Sequence, residues 1–372
     1  MIWELFLIIY SIFTLLNIWI TYCTILINPN KYPKYNKKVS IIIATYNEQN
    51  HILDRTIKNA VISGDEVIVV DDGSSDWVYI PKLPYKFKFF HYDGNKGKRY
   101  ALDIGIKKAK HPIIVTVDSD TIINRNSVLE LIKPFNDLNV GAVTGNVKVS
   151  NRGFNLLTKM ISARYWSAFE LERKRQSYFG VVTCCSGVLT AYRKELLIDI
   201  LPKFMNQKFL GQLQNYGEDR ALTTFILKKG YKVVYSSEAI AYTEVPKNLI
   251  TFMIQQLRWK KSFIKYSMIA LKFGFKRSWY YFYEIIYGLI IPFFGFLVRV
   301  MMLVLVVLDF RLSLWYLGTI LFMSFLRNYI MLVNDKKYFY YTFLYSILHE
   351  LIIFWLFFIA LFRLRNNKWG TR

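Results

Sequence analysis

Two aspartates one residue apart, Asp118 and Asp120, are the first residues in the sequence whose type and spacing indicate chemistry. They follow an apolar, β-branched run at 113–117, which is typical of a parallel strand buried on both faces. Side chains at the carboxyl end of such a strand face the ligand crevice. Paired carboxylates there are stabilised by a divalent cation, so the spacing predicts Mg²⁺ or Mn²⁺ on a nucleotide diphosphate. The alternative is an Asp-Ser-Asp turn that caps the next helix.

A second acidic pair, Asp71 and Asp72, ends the apolar run at 66–70 and precedes Gly73. A carboxylate at a strand end can accept the imide N–H of uracil, which predicts a nucleotide contact. The alternative is a glycine turn in which an aspartate side chain bonds its own backbone.

Basic residues open the helix that is predicted after the loop containing Gly94 and Gly97. They are Lys96, Lys98 and Arg99. Backbone N–H groups at a helix N-terminus together with cations suit a diphosphate. Solvated surface lysines are the alternative interpretation.

A third acidic cluster, Glu218-Asp219-Arg220, is predicted to begin a helix. An aspartate can act as the general base for a sugar hydroxyl when its carboxylate reaches the proton. Aspartate at a helix start is otherwise a common N-cap, so the sequence leaves both interpretations open.

The stretch Gln255-Gln256-Leu257-Arg258-Trp259 lies on a predicted basic amphipathic helix. Arg258 could hold the charge that develops on a leaving diphosphate, and Trp259 could stack on a sugar ring. Anchoring of the helix in a membrane interface is the alternative.

The elements that must position these residues occupy 38–246, where strands alternate with helices. This alternation predicts a mostly parallel, Rossmann-like α/β sheet. Three strands in succession end in polar or acidic turns, so their ends should share one edge of the sheet. Further along, 141–151 is typical of a strand pair, and 164–180 is typical of a helix with mixed aromatic and charged faces.

The 372-residue chain is 53% hydrophobic and carries a formal charge of +23. Apolar runs near 5–27, 285–308, 312–333 and 338–362 indicate membrane segments. We expect a transmembrane helix at 1–30, a cytoplasmic catalytic domain at 38–246, interfacial helices at 247–278, two transmembrane helices at 279–334, and an interfacial or re-entrant helix with its following loop at 335–372. Lysines after the first span place the catalytic domain in the cytoplasm beside anionic lipid. No motif supports a nucleic-acid partner.

The order of eight motifs resembles the processive family 2 glycosyltransferases. The motifs are "ATYNE", "VVDDGSSD", "NKGKR", "VDSDT", "CCSG", "GEDR", "QQLRW" and "WGTR". Within that family the chain looks most similar to class I hyaluronan synthases, chitin synthases and rhizobial chitin-oligosaccharide synthases. The resemblance runs from about Val39 to Arg372.

The resemblance implies a GT-A fold, inverting transfer from a UDP-sugar, and a role for each matching residue. Nucleotide contacts would come from Tyr46, Asp71, Asp72, Lys96, Arg99, Asp118, Trp369, Thr371 and Arg372. The metal ion would be placed by Asp118 and Asp120. The acceptor site would comprise Ser186, Gly187, Glu218, Arg220 and Trp259. Asp219 would be the catalytic base, with Gln255, Arg258 and Trp259 completing the catalytic site.

The sequence departs from the family pattern in three places. Val188 replaces the usual proline after Ser-Gly, and Ala221 stands where a histidine is common. Relatives commonly have further membrane helices after Trp-Gly-Thr-Arg, whereas this sequence ends at Arg372. We therefore expect a homodimer to complete the translocation channel. Because ionisable His349 and Glu350 divide the run at 338–362, we predict that it does not span the bilayer, which keeps the last loop cytoplasmic.

The resulting hypothesis is a membrane-embedded processive β-glycosyltransferase that makes a GlcNAc-containing polymer, hyaluronan first. It would use UDP-GlcNAc and UDP-glucuronate as donors and the growing polysaccharide as acceptor. Alternatives are a chitin or chitin-oligosaccharide synthase using UDP-GlcNAc only, a non-processive transfer to lipid, and an inactive membrane scaffold or transporter.

Overall fold

The computed structural model describes residues 2–27 and 32–366, with the backbone alone for 2–7. These residues form two compact units, each assembled from several chain segments. The first, here the helical unit, comprises residues 2–27, 152–175 and 246–363. The second, here the sheet unit, comprises residues 32–151, 176–245 and 364–366. Residues 152–175 therefore group with the hydrophobic helices, although the sequence places them inside the catalytic domain.

The strands of the described residues are β1 (Val39–Thr45), β2 (Glu66–Asp71), β3 (Lys88–His91), β4 (Ile113–Asp118), β5 (Val140–Val149), β6 (Leu189–Arg193), β7 (Lys208–Phe209), β8 (Gln212–Leu213) and β9 (Lys232–Thr243). Seven of them form one sheet in the order β3-β2-β1-β4-β6-β5-β9, and β7 and β8 form a hairpin. The sheet is parallel except at β6, which runs antiparallel to both β4 and β5. The strand pair expected at 141–151 is instead the single long strand β5.

Buried β-branched residues explain the centre of this sheet. The run Ile41–Ile43 in β1 is fully buried, as a strand covered on both faces requires. Parallel pairing places Thr45 of β1 beside Asp71 of β2, and Ala44 of β1 beside Asp118 of β4. The three strands expected to share an edge therefore end level with one another.

The α-helices of the described residues are α1 (Ile2–Leu26), α2 (Asn50–Ser63), α3 (Lys98–Lys108), α4 (Arg125–Ile132), α5 (Leu156–Trp166), α6 (Lys174–Tyr178), α7 (Lys194–Met205), α8 (Glu218–Lys228), α9 (Leu249–Leu271), α10 (Gly274–Arg277), α11 (Trp279–Leu308), α12 (Leu312–Asn334), α13 (Lys336–Leu348) and α14 (Leu356–Phe362). Short 3₁₀ segments lie at Ile80–Lys82 and Lys133–Asn136, and π-helical segments lie at Ser167–Arg173 and His349–Ile353. The helix expected over 164–180 is thus interrupted by a wider turn, which the apolar periodicity did not indicate.

Four helical stretches of the described residues are long and apolar enough to cross a membrane. They are Ile8–Leu26, Trp279–Leu308, Leu312–Asn334 and Lys336–Phe362. Large side chains such as Val307 and Phe362 are almost fully exposed on these helices, as lipid-facing residues are. Inside the helical unit, Arg175 pairs with Glu284 at 2.8 Å, so these charges are not left unpaired among apolar side chains.

The last of these stretches differs in detail from the expected pair of half-helices. Helical hydrogen bonding continues through its middle, where the Phe354 N–H donates to the His349 carbonyl at 2.8 Å. Glu350 is paired with Arg299 of α11 and accepts a hydrogen bond from Tyr316 of α12. A paired carboxylate costs much less in an apolar environment than an isolated one, so Glu350 does not by itself prevent membrane crossing. An interfacial position for this helix remains a prediction.

Candidate active site

The end of β4 carries the most concentrated group of charges in this part of the sheet unit. Asp118 is the last residue of β4, and its Oδ1 accepts a hydrogen bond from Nζ of Lys98, the first residue of α3. The same ammonium lies 3.2 Å from Oε1 of Glu218, the first residue of α8. One lysine therefore joins a strand end to two helix N-termini.

The electrostatics of this group keep Lys98 charged. Burial disfavours the ammonium, but the negative charges of Asp118 and Glu218 outweigh that penalty, so the pKa of Lys98 is raised. About a fifth of the side chain remains accessible to solvent. A permanently charged and partly accessible lysine is suited to an anionic ligand.

The segment before β6 closes one side of this group because β6 is antiparallel to β4. Leu189 pairs with Val117, which brings Ser186 and Gly187 beside Asp118. A Cβ at Gly187 would lie 3.3 Å from both carboxylate oxygens of Asp118 and 3.2 Å from the Lys98 Nζ. Ser186 is fixed by its N–H, which donates to Oγ1 of Thr144 at 3.0 Å. A glycine at 187 thus leaves room next to the charged pair.

Asp219 follows Glu218 at the start of α8. Its Oδ1 accepts from the backbone N–H of Arg220 at 2.7 Å, and its Oδ2 lies 3.7 Å from Sγ of Cys184. Burial, and then the negative charge of Glu218, raise the pKa of Asp219. A carboxylate with a raised pKa is a stronger base than an ordinary aspartate, and the role of Asp219 as catalytic base stays a prediction. Arg220 itself points to the Thr183 carbonyl at 3.4 Å.

The end of β2 is arranged differently, because both aspartates already hold the local backbone. Oδ1 of Asp72 accepts hydrogen bonds from the N–H groups of Lys96 at 2.8 Å and Gly97 at 3.0 Å, and from the Tyr92 hydroxyl. Burial raises the pKa of Asp72 and these hydrogen bonds oppose that rise. The carboxylate of Asp71 accepts from Ser74 and from His91.

Gly73 lies in the turn after β2, where its backbone conformation and one close contact exclude a larger residue. Its φ is +78°, and a Cβ on it would lie 2.6 Å from the Gly94 backbone. The β2 turn and the loop before α3 therefore touch through their main chains.

The two basic residues assigned to the nucleotide contact other parts of the sheet unit. The Arg99 side chain is 4% exposed, and its NH1 donates to the Phe204 carbonyl at 2.9 Å and to Oε1 of Gln207 at 3.2 Å. The Lys96 ammonium lies 4.9 Å from the centre of the Tyr100 ring. The sequence analysis named Lys98 among the cations suited to a diphosphate, but the residue-by-residue assignment chose Lys96 and Arg99 and left out the lysine that contacts Asp118. A signal was present: Arg99 shares the i, i+3, i+7 spacing of buried Leu102 and Ile106, which assigns Arg99 to the interior.

The remaining predicted residues are placed as follows. Tyr46 is half-buried directly after β1, and Asp120 is half-buried in the turn closed by the Thr121 N–H to the Asp118 carbonyl at 3.1 Å. Gln255, Arg258 and Trp259 lie on α9 of the helical unit, where the Trp259 side chain is 41% exposed. Trp369, Thr371 and Arg372 lie outside the described residues.

The donor set after β4 fits a hard divalent cation. Mg²⁺ and Mn²⁺ prefer carboxylate oxygens and commonly take their other ligands from water and substrate phosphates. Asp118 and Asp120 supply two such carboxylates, and Asp118 already accepts a hydrogen bond from the Lys98 ammonium. Over residues 2–27 and 32–366 no group of three or more His, Cys, Asp or Glu side chains gathers as a complete protein-only site. By donor type, the two carboxylates fit a hard divalent cation.

A mostly parallel α/β sheet with charged strand ends at one edge is the arrangement expected of the GT-A fold. The mannosyltransferase PcManGT from Pyrobaculum calidifontis, solved with GDP-Man and Mn²⁺, superposes with a TM-score of 0.64. The match covers 94% of this chain and 98% of that one, at 20% sequence identity. The GT-A fold predicted from the sequence is therefore confirmed.

Comparison of sequences identifies the family. The model described as "Glycosyl transferase family 2" matches residues 40–201. A hyaluronan synthase of Streptococcus pyogenes serotype M1 is 34% identical over 365 residues, covering 93% of this chain and 86% of the relative. An N-acetylglucosaminyltransferase of Azorhizobium caulinodans is 32% identical over 347 residues, covering 90% and 87%. The chain belongs to glycosyltransferase family 2 and is a glycosyltransferase, as its motifs predict.

Proposed function

We propose that this protein is a membrane-embedded, inverting, processive β-glycosyltransferase that makes a GlcNAc-containing polysaccharide, hyaluronan, from UDP-sugars. The observation that carries the proposal is the charged group Asp118, Lys98, Glu218 and Asp219 at the sheet edge. It occurs in a chain that matches a hyaluronan synthase over 93% of its length. Hyaluronan requires two donors, UDP-GlcNAc and UDP-glucuronate.

The donor site in this proposal lies at the ends of β1, β2 and β4. Tyr46, Asp71 and Asp72 border the uridine, and Lys98 faces the diphosphate with support from Lys96. Asp118 and Asp120 would hold Mg²⁺ or Mn²⁺, and the ion would neutralise charge on the diphosphate. Lys98 is the best placed cation for the leaving group because its ammonium already rests on Asp118.

The reaction in this proposal is a direct displacement at the anomeric carbon. The carboxylate of Asp219 takes the proton from an acceptor hydroxyl, and that oxygen forms the new bond to the anomeric carbon. The bond from this carbon to the diphosphate oxygen breaks, and UDP leaves with the electron pair. One displacement inverts the anomeric configuration, and the Lys98 ammonium faces the negative charge that appears on UDP.

The acceptor and covering residues are assigned by the family resemblance. Ser186, Gly187, Glu218 and Arg220 would border the acceptor, and Gln255, Arg258 and Trp259 of α9 would complete the site. Trp369, Thr371 and Arg372 would cover the nucleotide. Arg99 remains a proposed nucleotide residue through the family resemblance alone, since its guanidinium donates to the Phe204 carbonyl and to Oε1 of Gln207.

The proposed location is the cell membrane, with the sheet unit in the cytoplasm where UDP-sugars occur. Lys34, Lys37 and Lys38 follow the first apolar helix, and such cationic flanks mark the cytoplasmic side. Partners would be the lipid bilayer, the donors and the growing polysaccharide, and a homodimer is a further proposal.

A second candidate is a chitin or chitin-oligosaccharide synthase that uses UDP-GlcNAc alone. The observation that favours it is the 32% identity to an N-acetylglucosaminyltransferase over 90% of this chain. The two candidates share donor, base and metal residues and differ in the second sugar.

One experiment separates them. Membranes containing the protein are incubated with UDP-GlcNAc and Mn²⁺, with and without UDP-glucuronate, and the product is digested with hyaluronidase or chitinase. Hyaluronan synthesis predicts a hyaluronidase-sensitive polymer only when both donors are present. A chitinase-sensitive product from UDP-GlcNAc alone selects the second candidate, and no sugar transfer under any donor combination refutes the proposal.

A further inference from the structure

His91, the last residue of β3, contacts the buried carboxylate at the end of the neighbouring strand. Parallel pairing places His91 opposite Asp71, and Nδ1 of the imidazole lies 2.8 Å from Oδ2 of Asp71. A carboxylate can only accept, so Nδ1 carries the proton of this hydrogen bond. The ring stacks on Trp77 with centroids 4.2 Å apart and planes 19° from parallel. Both contacts fix the orientation of the imidazole.

Asp71 links His91 to the turn after β2 through hydrogen bonds from Ser74. The residue is fully buried, and its two oxygens accept from Ser74 alone within the turn: Oδ2 from the N–H at 3.0 Å and Oδ1 from the hydroxyl. His91 supplies the contact from outside the turn. Without the imidazole N–H, Oδ2 would keep the Ser74 N–H but lose one of its two donors. A buried charge with fewer donors is less stable, so removing the imidazole should loosen the turn at Ser74.

Ser74 in turn holds the loop after β1. A hydroxyl has one proton, which Ser74 gives to Asp71, and its lone pair accepts the Asn47 N–H at 2.8 Å. The Ser75 N–H donates to Oδ1 of Asn47 at 3.0 Å. Asn47 has φ = +47°, a left-handed conformation that asparagine adopts more readily than most non-glycine residues. The two loops are thus locked together through four residues in series.

These loops border the nucleotide half of the proposed site. Tyr46 precedes Asn47, and Asp72 lies between Asp71 and Ser74. A cavity of about 210 Å³ opens between the loops and is lined by Thr45, Asn47 and Glu48 from one side and by Ser74, Ser75 and Asp76 from the other. The conformation of both loops decides where a nucleotide base can rest.

We propose that His91 is a positioning residue for the nucleotide, acting through the series His91–Asp71–Ser74–Asn47 to hold the loops after β1 and β2. His91 touches neither donor nor acceptor. Its effect is therefore on binding of the UDP moiety, whereas the displacement at the anomeric carbon depends on Asp219 and Lys98. This inference rests on the proposed function, since it assigns a nucleotide to that edge of the sheet.

Two substitutions separate the hydrogen bond from the ring packing. His91→Phe keeps an aromatic ring to stack on Trp77 and removes the donor to Asp71. His91→Asn removes the ring but retains an amide N–H at the position of Nδ1. Both are compared with the unaltered full-length protein in detergent, by UDP titration, by kcat and KM for UDP-GlcNAc, and by amide hydrogen exchange of residues 44–50 and 72–76.

If His91 acts through its hydrogen bond to Asp71, His91→Phe should be the more impaired variant. If His91 served only to pack its ring on Trp77, His91→Asn should be the more impaired one. Loss of a hydrogen bond to a charged group predicts that His91→Phe raises the Kd for UDP and the KM about tenfold, leaves kcat nearly unchanged, and speeds exchange in both loops. His91→Asn should restore Kd, KM and slow exchange to near their original values. The inference is overturned if His91→Phe behaves as the unaltered protein, or if His91→Asn is impaired as strongly as His91→Phe. Should the unaltered protein bind no UDP, the proposed function fails, and the exchange rates alone then decide whether the series holds the loops.

Discussion

The acidic ends of β2 and β4 have similar sequences but different surroundings. After β2, both carboxylates are engaged by groups of their own unit: Asp71 by Ser74 and His91, and Asp72 by the backbone of Lys96 and Gly97. After β4, Asp118 meets the flexible side chain of Lys98, which also faces Glu218.

These surroundings indicate that the acidic turn after β2 is a stable support and that the one after β4 can exchange partners. Hydrogen bonds from backbone N–H groups cannot leave without unfolding a loop, so the β2 end is a rigid support. A lysine ammonium on a four-carbon stem can rotate toward an incoming diphosphate and release a carboxylate for a metal ion. We therefore expect substitutions after β4 to alter rate, and substitutions after β2 to alter loop stability and nucleotide affinity.

The largest effect is expected from Asp219→Asn, which removes the proposed base and leaves both strand ends intact. Loss of a general base lowers the rate by about 10²–10⁴-fold, so polymer formation should fall by that amount while UDP still binds. Synthesis is measured by incorporation of labelled sugar, and UDP binding by titration. Asp199→Asn is the matched control, because that aspartate pairs with Lys229 on the surface. Near-normal synthesis by Asp219→Asn would remove the base assignment.

Lys98→Ala tests the mobile partner of Asp118 directly. Removing one group that stabilises a developing anion costs about 10²–10³-fold in kcat, and we expect a loss in that range. Lys107→Ala serves as the control on the same helix, since Lys107 pairs with Asp103 and is largely exposed. Equal kcat values for the two variants would contradict the role given to Lys98.

The pH profile sharpens the distinction between the base and the supporting carboxylates. Because the pKa of Asp219 is raised, the residue is protonated, and inactive as a base, at pH values where an ordinary aspartate is still ionised. The kcat/KM should therefore rise with pH, with an apparent pKa above the usual aspartate value of about 3.9. At pH values below that apparent pKa, the rise should be up to tenfold per pH unit. If kcat/KM instead fell at low pH with the pKa of an ordinary aspartate, burial and Glu218 would not be raising the pKa of the base.

The smallest effect on rate, and the largest on stability, is expected from Asp71→Asn compared with Asp118→Asn. An amide at 71 keeps one acceptor oxygen, removes the negative charge and puts an NH₂ group in place of the other oxygen, where it meets a donor of Ser74 or His91. We expect this to cost about 1–3 kcal/mol and to lower the apparent Tm by several degrees. Asp118→Asn should leave the Tm close to the original value, because Lys98 keeps Glu218 as a partner. Thermal unfolding of both variants in the same detergent gives the comparison. If Asp118→Asn proved the less stable of the two, the β2 and β4 ends would not differ as described.

Sequence reasoning located the parts of this molecule that depend on local patterns. The β-branched runs before Asp71 and Asp118 identified β2 and β4, and their acidic ends identified the shared edge. The antiparallel placement of β6 was not predictable in this way, because it depends on which strand Leu189 finds as a neighbour. The assignment of residues 152–175 to the helical unit likewise depends on tertiary packing.

Within the site, the residue types were readable but their partners were not. Lys98 and Arg99 are adjacent and both cationic, yet about 100° of helix rotation sends one to Asp118 and the other to buried carbonyls. His91 gave no signal, since its partner Asp71 is twenty residues away and meets it only through strand pairing. Charge and spacing predict which residues a site contains, whereas strand register and helix rotation decide which of those residues are in contact.

A structure of the full-length protein with UDP and Mn²⁺ bound tests the central difference between the two strand ends most directly. We predict that Lys98 leaves Asp118 and places its ammonium about 3 Å from a diphosphate oxygen, that Asp118 and Asp120 bind the ion, and that the Asp72 hydrogen bonds to Lys96 and Gly97 remain. A bound nucleotide with the Lys98–Asp118 contact unbroken, or with the Asp72 contacts broken in its place, would contradict this account.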